Sequence, residues 1–430
     1  MTTPPSGHFI GVDPSGRHIY SRGARHLLVC GPSQAGKTTS VLAHAVRSTP
    51  GATLTTSTKE DLLLLPPRND RPTLVLDLLG RTAVPSHAKA VRFSPLTLIS
   101  TFEDALLLGR TMMDAAYSFS RSGVSNEAYW TQRAARLVAA LLWAASRSGV
   151  PIGEVFGWAA AQDSAEPIDL LSPSEDIEAT RILEGLGRSS AAGRSSNQAS
   201  TAVWSFAEQA VALYAYPTAR ALAAEPNLDP EEFVRGDNAL HVVCPSLWAA
   251  ELGPAIAVLI QALVEAKYRQ IAAAGRVGVG DVMPLTLVLD EVANTAPLPS
   301  LPALCSEGAG QGVLVILGTQ DRAQLEERWG PEKARTIVSN CRDRLILGEL
   351  GDRPFLDDIE ALSGTRYRED LSVGNSESGQ GPSSTKSITY HEMPAWRSWE
   401  IAQLPEYRAL YLKGWTPQLI RLKRWDDENR

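Results

Sequence analysis

The eight residues GPSQAGKT, Gly31 to Thr38, constrain this chain more than any other feature. They are a complete G-x-x-x-x-G-K-[ST] pattern. The apolar run HLLVCG (His26–Gly31) precedes them, and TSVLAHAV, with helix texture, follows. Strand, glycine loop and helix in that order are the context in which this pattern cradles phosphates. Gly31 and Gly36 let the backbone curl until its N–H groups face phosphate oxygens, and a helix N-terminus adds a favourable dipole. The predicted nucleotide-binding residues are therefore Gly31, Pro32, Ser33, Gln34, Ala35, Gly36, Lys37, Thr38 and Thr39. Lys37 is assigned to the β- and γ-phosphates, the Thr38 hydroxyl to the Mg²⁺ shell, and Thr39 to a further phosphate oxygen. ATP and Mg²⁺ are the implied cofactors.

A phosphate loop needs one acid to hold the metal's water shell and a second group to orient the attacking water. LTLVLDE (Leu285–Glu291) is an apolar run ending in two carboxylates. Asp290 is assigned to the metal and Glu291 to the water. VLVILGTQ (Val313–Gln320) is a further apolar run with a polar tip, and Gln320 is placed as a γ-phosphate sensor. His44 and His241 stand in apolar surroundings and read as packed or surface residues rather than ligands. Trp130, Trp143 and Trp204 fall at helical spacing and read as core.

Short apolar or β-branched runs recur at Ala52–Thr58, Thr73–Gly80, Ala239–Pro245, Arg344–Leu350 and Ala409–Gly414. Such runs suit parallel strands buried on both faces. Between Thr101 and Gly236 the texture changes to alanine, leucine and arginine at helical spacing, as in Glu127–Gly149 and Thr201–Tyr216. Gly187–Ser200 is a polar, small-residue loop or helix start. Pro254–Gly275 is an amphipathic helix, and Gly374–Ser387, rich in Gly and Ser, is expected to be a mobile loop. The fold class is α/β: a P-loop domain with a mostly parallel sheet, interrupted by an all-α domain. Its parts are 1–103, the helical stretch 104–236, and 237–430.

Composition excludes several classes. The net charge is −7, with 11 basic and 7 acidic side chains in residues 1–104 and an acidic excess in the rest. No segment is strongly basic, so any DNA contact uses local patches, concentrated by assembly around a pore. Arg188 and Arg194 are the candidates. The four cysteines, Cys30, Cys244, Cys305 and Cys341, are scattered, which indicates neither a zinc site nor a disulfide framework. The N-terminal MTTPPSGHFIGVD lacks the features of a signal peptide. The longest dense apolar run, Leu137 to Ala145, is far short of the ~20 residues needed to span a bilayer. A soluble chain in the cytoplasm is expected.

LDEVANTAPLPSLPALCSEGAGQGVLVILGTQDRAQLEERWG (Leu289–Gly330) resembles the coupling proteins of conjugation and type IV secretion, the TraG/TraD-type ATPases. VSNCRDRLILGEL (Val338–Leu350), TSTKEDLL (Thr55–Leu62) and WTQRAARLVAALL (Trp130–Leu142) extend the likeness over nearly the whole chain. The resemblance implies a RecA-like motor domain, related to FtsK and HerA, coupled to a helical domain that recognises DNA or relaxase cargo. It further implies a homo-oligomer, a hexamer, with sequence-nonspecific DNA, a relaxase or other substrate, and secretion-channel proteins as partners. It places the chain at the cytoplasmic face of the membrane, held by a missing anchor or a membrane partner. By this likeness Lys37, Thr38, Asp290, Glu291 and Gln320 keep the roles given above.

One departure bears on mechanism. Ala309 stands where the family carries an arginine that acts on a neighbour's nucleotide. Arg342 is the first candidate to replace it, with Arg344 as the second. Two readings follow. Intact Lys37, Asp290, Glu291 and Gln320 favour an ATP-driven DNA translocase. Ala309 and the acidic helical stretch favour a substrate-recruiting adaptor that binds nucleotide and hydrolyses it weakly. A chromosome-segregation or DNA-repair translocase shares the motor but not the Leu289–Gly330 likeness.

Overall fold

The computed structural model of the chain describes residues 7–429 apart from 22, 24, 69–70, 120–126, 173, 192–193, 276–281 and 379–380. The side chains of 127–128, 187–191, 194–197, 371–378, 381–386 and 428–429 are also outside the description. The strands are β1 (Phe9–Val12), β2 (His18–Tyr20), β3 (Leu27–Cys30), β4 (Thr53–Ser57), β5 (Thr73–Leu76), β6 (Ala88–Val91) and β7 (Ala239–Val243). They continue with β8 (Leu285–Leu289), β9 (Val313–Thr319), β10 (Asp343–Leu347), β11 (Thr365–Ser378), β12 (Gly381–Pro394), β13 (Arg408–Lys413) and β14 (Thr416–Arg421).

Twelve of them form one sheet in the order β2-β1-β14-β13-β10-β3-β9-β8-β4-β7-β5-β6. From β10 to β6 every pairing is parallel. Beyond β10 the sheet is finished by the antiparallel strands β13, β14, β1 and β2. The runs read as strands lie mostly in the parallel part. β3, β4, β8, β9 and β10 are buried at every position, which is why they read as unbroken apolar or β-branched stretches. β6, at the sheet's edge, exposes its middle residues and gave no such signal. The C-terminal ends of β3, β4, β8 and β9 share one edge, where an open α/β sheet holds its ligands.

Between β6 and β7 the described chain is helical, from Phe102–Phe119 to Pro230–Arg235. Glu127–Ser148 fills the middle of this layer, and its Leu137, Leu141 and Ala144 are fully buried. Trp204 is buried, while Trp130 and Trp143 are half-buried against the same core. Trp143 Nε1 donates to Asp176 at 2.8 Å. His241 is buried on β7, its Nδ1 2.8 Å from Thr55 Oγ1. In Gly187–Ser200 the backbone is helical on both sides of 192–193, in helices Ile177–Ala191 and Arg194–Ala210. The side chains of Arg188 and Arg194 lie outside the described residues.

Two expectations need correction. Gly374–Ser378 and Gly381–Ser387 are strand rather than loop: they lie in the long antiparallel hairpin β11–β12, paired from Thr365↔Pro394 to Ser378↔Gly381. Its glycines and serines hid an extended alternation on either side, TRYREDL and SITYHEM. Tyr367, Ile388 and Tyr390 on this hairpin are exposed. Secondly, Leu137 to Ala145 is not the segment that comes nearest to a membrane span in length and composition. The predicted helix at Pro254 begins earlier, at Ala249, and ends at Ala273. Ser246–Ala273 is long and apolar enough to cross a membrane by composition, yet 72% of its most apolar window is buried within the protein. It is the core helix joining the sheet to the helical layer.

Buried histidines make the fold acid-sensitive. His26 Nδ1 accepts the Val315 N–H at 3.0 Å, which requires a neutral ring. Burial lowers the pKa of His8, His26 and His241 from 6.5 to about 4. The unfolded chain therefore binds protons that the folded chain refuses between those values. Stability is fully present above pH 6.5 and falls as the pH drops toward 4, by up to about 1.4 kcal/mol per pH unit for each histidine. Urea midpoints measured from pH 7 to 4.5 should decline across this window. The decline should be shallower in His26→Asn than in the wild type.

Candidate active site

The loop after β3 turns on two constraints. A Cβ on Gly31 would stand 2.7 Å from the Leu347 side chain of β10, so the loop leaves the strand only as glycine. Gly36 has φ 89° and Gln34 φ 67°, the left-handed values that curl the loop. The chain then enters a π-helical turn, Thr38–Leu42, continuous with helix Ala43–Ser48. Lys37 is 5% exposed, and its Nζ donates to the Gly31 and Pro32 carbonyls at 2.6 and 2.9 Å.

β8 delivers the two carboxylates to the same place. The Thr38 hydroxyl donates to Asp290 Oδ2 at 2.8 Å, and the Ser57 hydroxyl, from the end of β4, approaches the same oxygen at 3.5 Å. Asp290 Oδ1 is buried with no hydrogen-bond partner among the described residues. Burial pushes the Asp290 carboxyl above its ordinary pKa, opposed by the Thr38 hydrogen bond and the Lys37 charge. A buried carboxylate with an unused oxygen beside a threonine hydroxyl fits Mg²⁺, which takes one or two protein oxygens and completes its shell with water and phosphates. Among the described residues no group of three or more His, Cys, Asp or Glu could hold a metal ion.

Glu291 is a non-glycine residue at φ 50°, ψ 49°. Such a conformation costs on the order of 1–3 kcal/mol and persists where the surroundings enforce it. It turns the carboxylate toward Lys37 Nζ, 3.8 Å away, and toward Gln320, whose Nε2 donates to Glu291 Oε2 at 3.1 Å. Burial raises the Glu291 pKa; Lys37 and the Gln320 hydrogen bond lower it and Asp290 raises it further. Gln320 follows β9, and its backbone N–H donates to the Gln324 side chain at 3.2 Å.

Lys37, Thr38, Asp290 and Glu291 thus line one cleft of ≈ 250 Å³ with Ser33, Gln34, Gly36 and Thr39 of the loop. Ser57, Thr58, Lys59 and Asp61, from the TSTKEDLL stretch, close a second side. Tyr407 and Arg424 form a third side, and nothing in the sequence marked them. A cleft of similar size, ≈ 230 Å³, lies against helix Ala249–Ala273 and is lined by Asp104, Glu231, Glu265 and Arg269. It holds none of the phosphate-binding groups.

The arginines separate. Arg344 is 2% exposed, donates to the Val338, Ser339 and Gly414 carbonyls, and packs on the Trp415 ring at 4.3 Å. It is a packing residue, unavailable to a ligand. Arg342 is exposed just before β10, whose Asp343 pairs with Leu27 at the start of β3. It therefore stands at the opposite edge of the sheet from this subunit's Lys37. Ala309 lies at that same edge, in the turn Gly308–Gln311 before β9. Asn340 Nδ2 donates to Ser306 Oγ at 2.9 Å, tying together the segments that carry Arg342 and Ala309.

Residues 284–406 match the family model described as the TraM recognition site of TraD and TraG. This segment is similar to TraD and TraG over that site. The likeness read from Leu289–Gly330 thus holds for the stretch that carries it most strongly. No curated protein matches the chain. Among solved structures, the chain resembles the bacterial conjugative coupling protein TrwBdeltaN70 in an unbound monoclinic form, with TM-score 0.70 and 17% identity over 98% of this chain and 89% of that one. It is similarly like TrwB in complex with ADP and Mg²⁺, with TM-score 0.64 and 18% identity over 93% and 85%. TrwB with a non-hydrolysable ATP analogue gives TM-score 0.62 and 19% identity over 98% and 96%. The fold is the one these coupling proteins have: a RecA-like, mostly parallel sheet with an all-α layer.

Proposed function

We propose that the chain is an ATP-hydrolysing coupling protein of a conjugative or type IV secretion system, a motor that moves DNA or a relaxase–DNA complex. The observation that carries this reading is the convergence of Lys37, the Thr38–Asp290 pair and Glu291 in one cleft, with Gln320 hydrogen-bonded to Glu291. These groups suit phosphoryl transfer to water. Lys37 faces the β- and γ-phosphates, Glu291 orients the attacking water, and Gln320 reports the γ-phosphate to the helix Arg322–Trp329 that follows. The Thr38 hydroxyl and Asp290 would hold Mg²⁺, which would supply positive charge against the phosphates. That TrwB binds ADP with Mg²⁺ in this fold supports the same cofactors here.

The active form is a ring, a hexamer, at the cytoplasmic face of the membrane, with hydrolysis between subunits. An arginine reaching a γ-phosphate speeds transfer by roughly a thousandfold or more, and Ala309 cannot supply it. Arg342 shares the edge of the sheet with Ala309, two strand positions away, or about 10 Å. It is the residue we assign to a neighbour's site. Ala309 is also what favours the weakly hydrolysing adaptor, and mixed rings separate the two. Arg342→Ala and Lys37→Ala subunits combined recover turnover if each supplies the half-site the other lacks.

DNA is held through its phosphates by small basic patches, without base readout, because the sequence carries no base-reading motif. The partners are DNA, a relaxase or other substrate, and the secretion channel. Binding of duplexes of unrelated sequence should be alike and should weaken steeply with salt, by tenfold to a thousandfold between 50 and 200 mM for a few phosphate contacts. Affinity that is constant over this range counts against the reading.

A further inference from the structure

The cleft's third wall comes from the end of the chain. β13 and β14 finish the sheet beside β10, and the segments flanking them return across the phosphate loop. Tyr407 stands at φ 58°, a left-handed conformation that a bulky aromatic rarely takes. Its backbone carbonyl accepts the Leu422 N–H at 2.9 Å. This puts the ring against the loop, 3.5 Å from where a Cβ on Gly36 would lie. Arg424 follows β14 and lines the same cleft. Its Nη1 is 3.4 Å from the Tyr407 hydroxyl, and Asp426 grips its Nε and Nη2 at 2.8 and 3.1 Å. The segment is fastened to the loop's own helix. His44 Nε2 lies 2.9 Å from the Lys423 carbonyl, and Arg47 stacks over Trp425 at 5.6 Å.

We infer that Arg424 is a second phosphate ligand of the bound nucleotide, acting beside Lys37, and that Tyr407 is its positioning residue. The inference rests on the reading of this cleft as the nucleotide site. A nucleoside triphosphate brings up to four negative charges into a cleft that already holds Asp61, Asp290 and Glu291. Lys37 and Lys59 answer part of that charge. A guanidinium presents a planar fork that matches phosphate oxygens two at a time. In Arg424, at the cleft wall, that fork is held by the Asp426 carboxylate, so an incoming phosphate exchanges with Asp426 for the same donors. The side chain is 39% exposed, and the exchange needs no repacking of the core.

The test uses the full chain and two ligands, ADP and inorganic tripolyphosphate, with affinities measured calorimetrically. Lys37→Ala should lose both, which establishes the cleft as the phosphate site. If Lys37→Ala binds both like the wild type, the nucleotide reading fails and the inference falls with it. Arg424→Gln should weaken both ligands by roughly tenfold to a hundredfold, the worth of a charge-assisted hydrogen bond. Arg424→Lys should recover part of the loss, and Tyr407→Phe should cost a few-fold. Asp426→Asn should tighten both ligands, and adding Arg424→Gln to it should reverse the gain. Normal binding by Arg424→Gln, where Lys37→Ala has lost it, overturns the inference. If Arg424→Gln does not fold, Asp426→Asn decides alone, and unchanged or weaker tripolyphosphate binding overturns it.

Discussion

Glu291→Gln should keep nucleotide bound while its hydrolysis slows by about a hundredfold or more, the usual worth of a positioned base. The substitution preserves shape. A glutamine side-chain oxygen can accept the Gln320 Nε2–H as the carboxylate does at 3.1 Å. What is lost is the negative charge that orients and deprotonates water. Binding should hold or improve, because Glu291 Oε1 lies 3.8 Å from Lys37 Nζ and competes with phosphate for that cation. Steady-state phosphate release measured beside ADP affinity checks both halves. Turnover equal to the wild type removes Glu291 from the water-orienting role.

Lys37→Ala should raise the nucleotide dissociation constant by about a hundredfold or more and bring hydrolysis to background. Two effects add. A buried ammonium facing the phosphates disappears, and a hydrogen bond to a charged group is among the stronger ones. The Gly31 and Pro32 carbonyls also lose the donor that holds the loop's curl. Thermal denaturation without nucleotide separates the two, since a melting point close to wild type assigns the loss to the missing cation. A dissociation constant within threefold of wild type contradicts the assignment.

How much was legible in the sequence follows from burial. β3, β8 and β9 are flanked by strands and covered on both faces, so their apolar runs and polar tips could be read directly, and with them Lys37, Asp290, Glu291 and Gln320. The phosphate loop is contiguous, and its glycines carry the geometry in the order of the residues. Tyr407 and Arg424 are 17 residues apart and almost four hundred from the loop they face. Only the antiparallel return of β13 and β14 brings them there, and no local pattern encodes it. Glycine and serine at the hairpin β11–β12 suggest a loop, because turn-favouring composition masks the strands that the flanking alternation carries. The two arginines part for a related reason. Arg342 and Arg344 read as a matched pair two residues apart, yet burial turns Arg344 onto three carbonyls and Trp415. Only Arg342 is left facing solvent.

The most direct test of the central claim is the ATPase rate of the wild type with and without duplex DNA, at low and at high salt, beside Lys37→Ala. A motor coupled to DNA should hydrolyse ATP several-fold faster with DNA, lose the stimulation at high salt, and show no turnover in Lys37→Ala. Turnover that is indifferent to DNA at every salt concentration, in protein whose basal activity Lys37→Ala abolishes, contradicts the motor reading while leaving the nucleotide site intact.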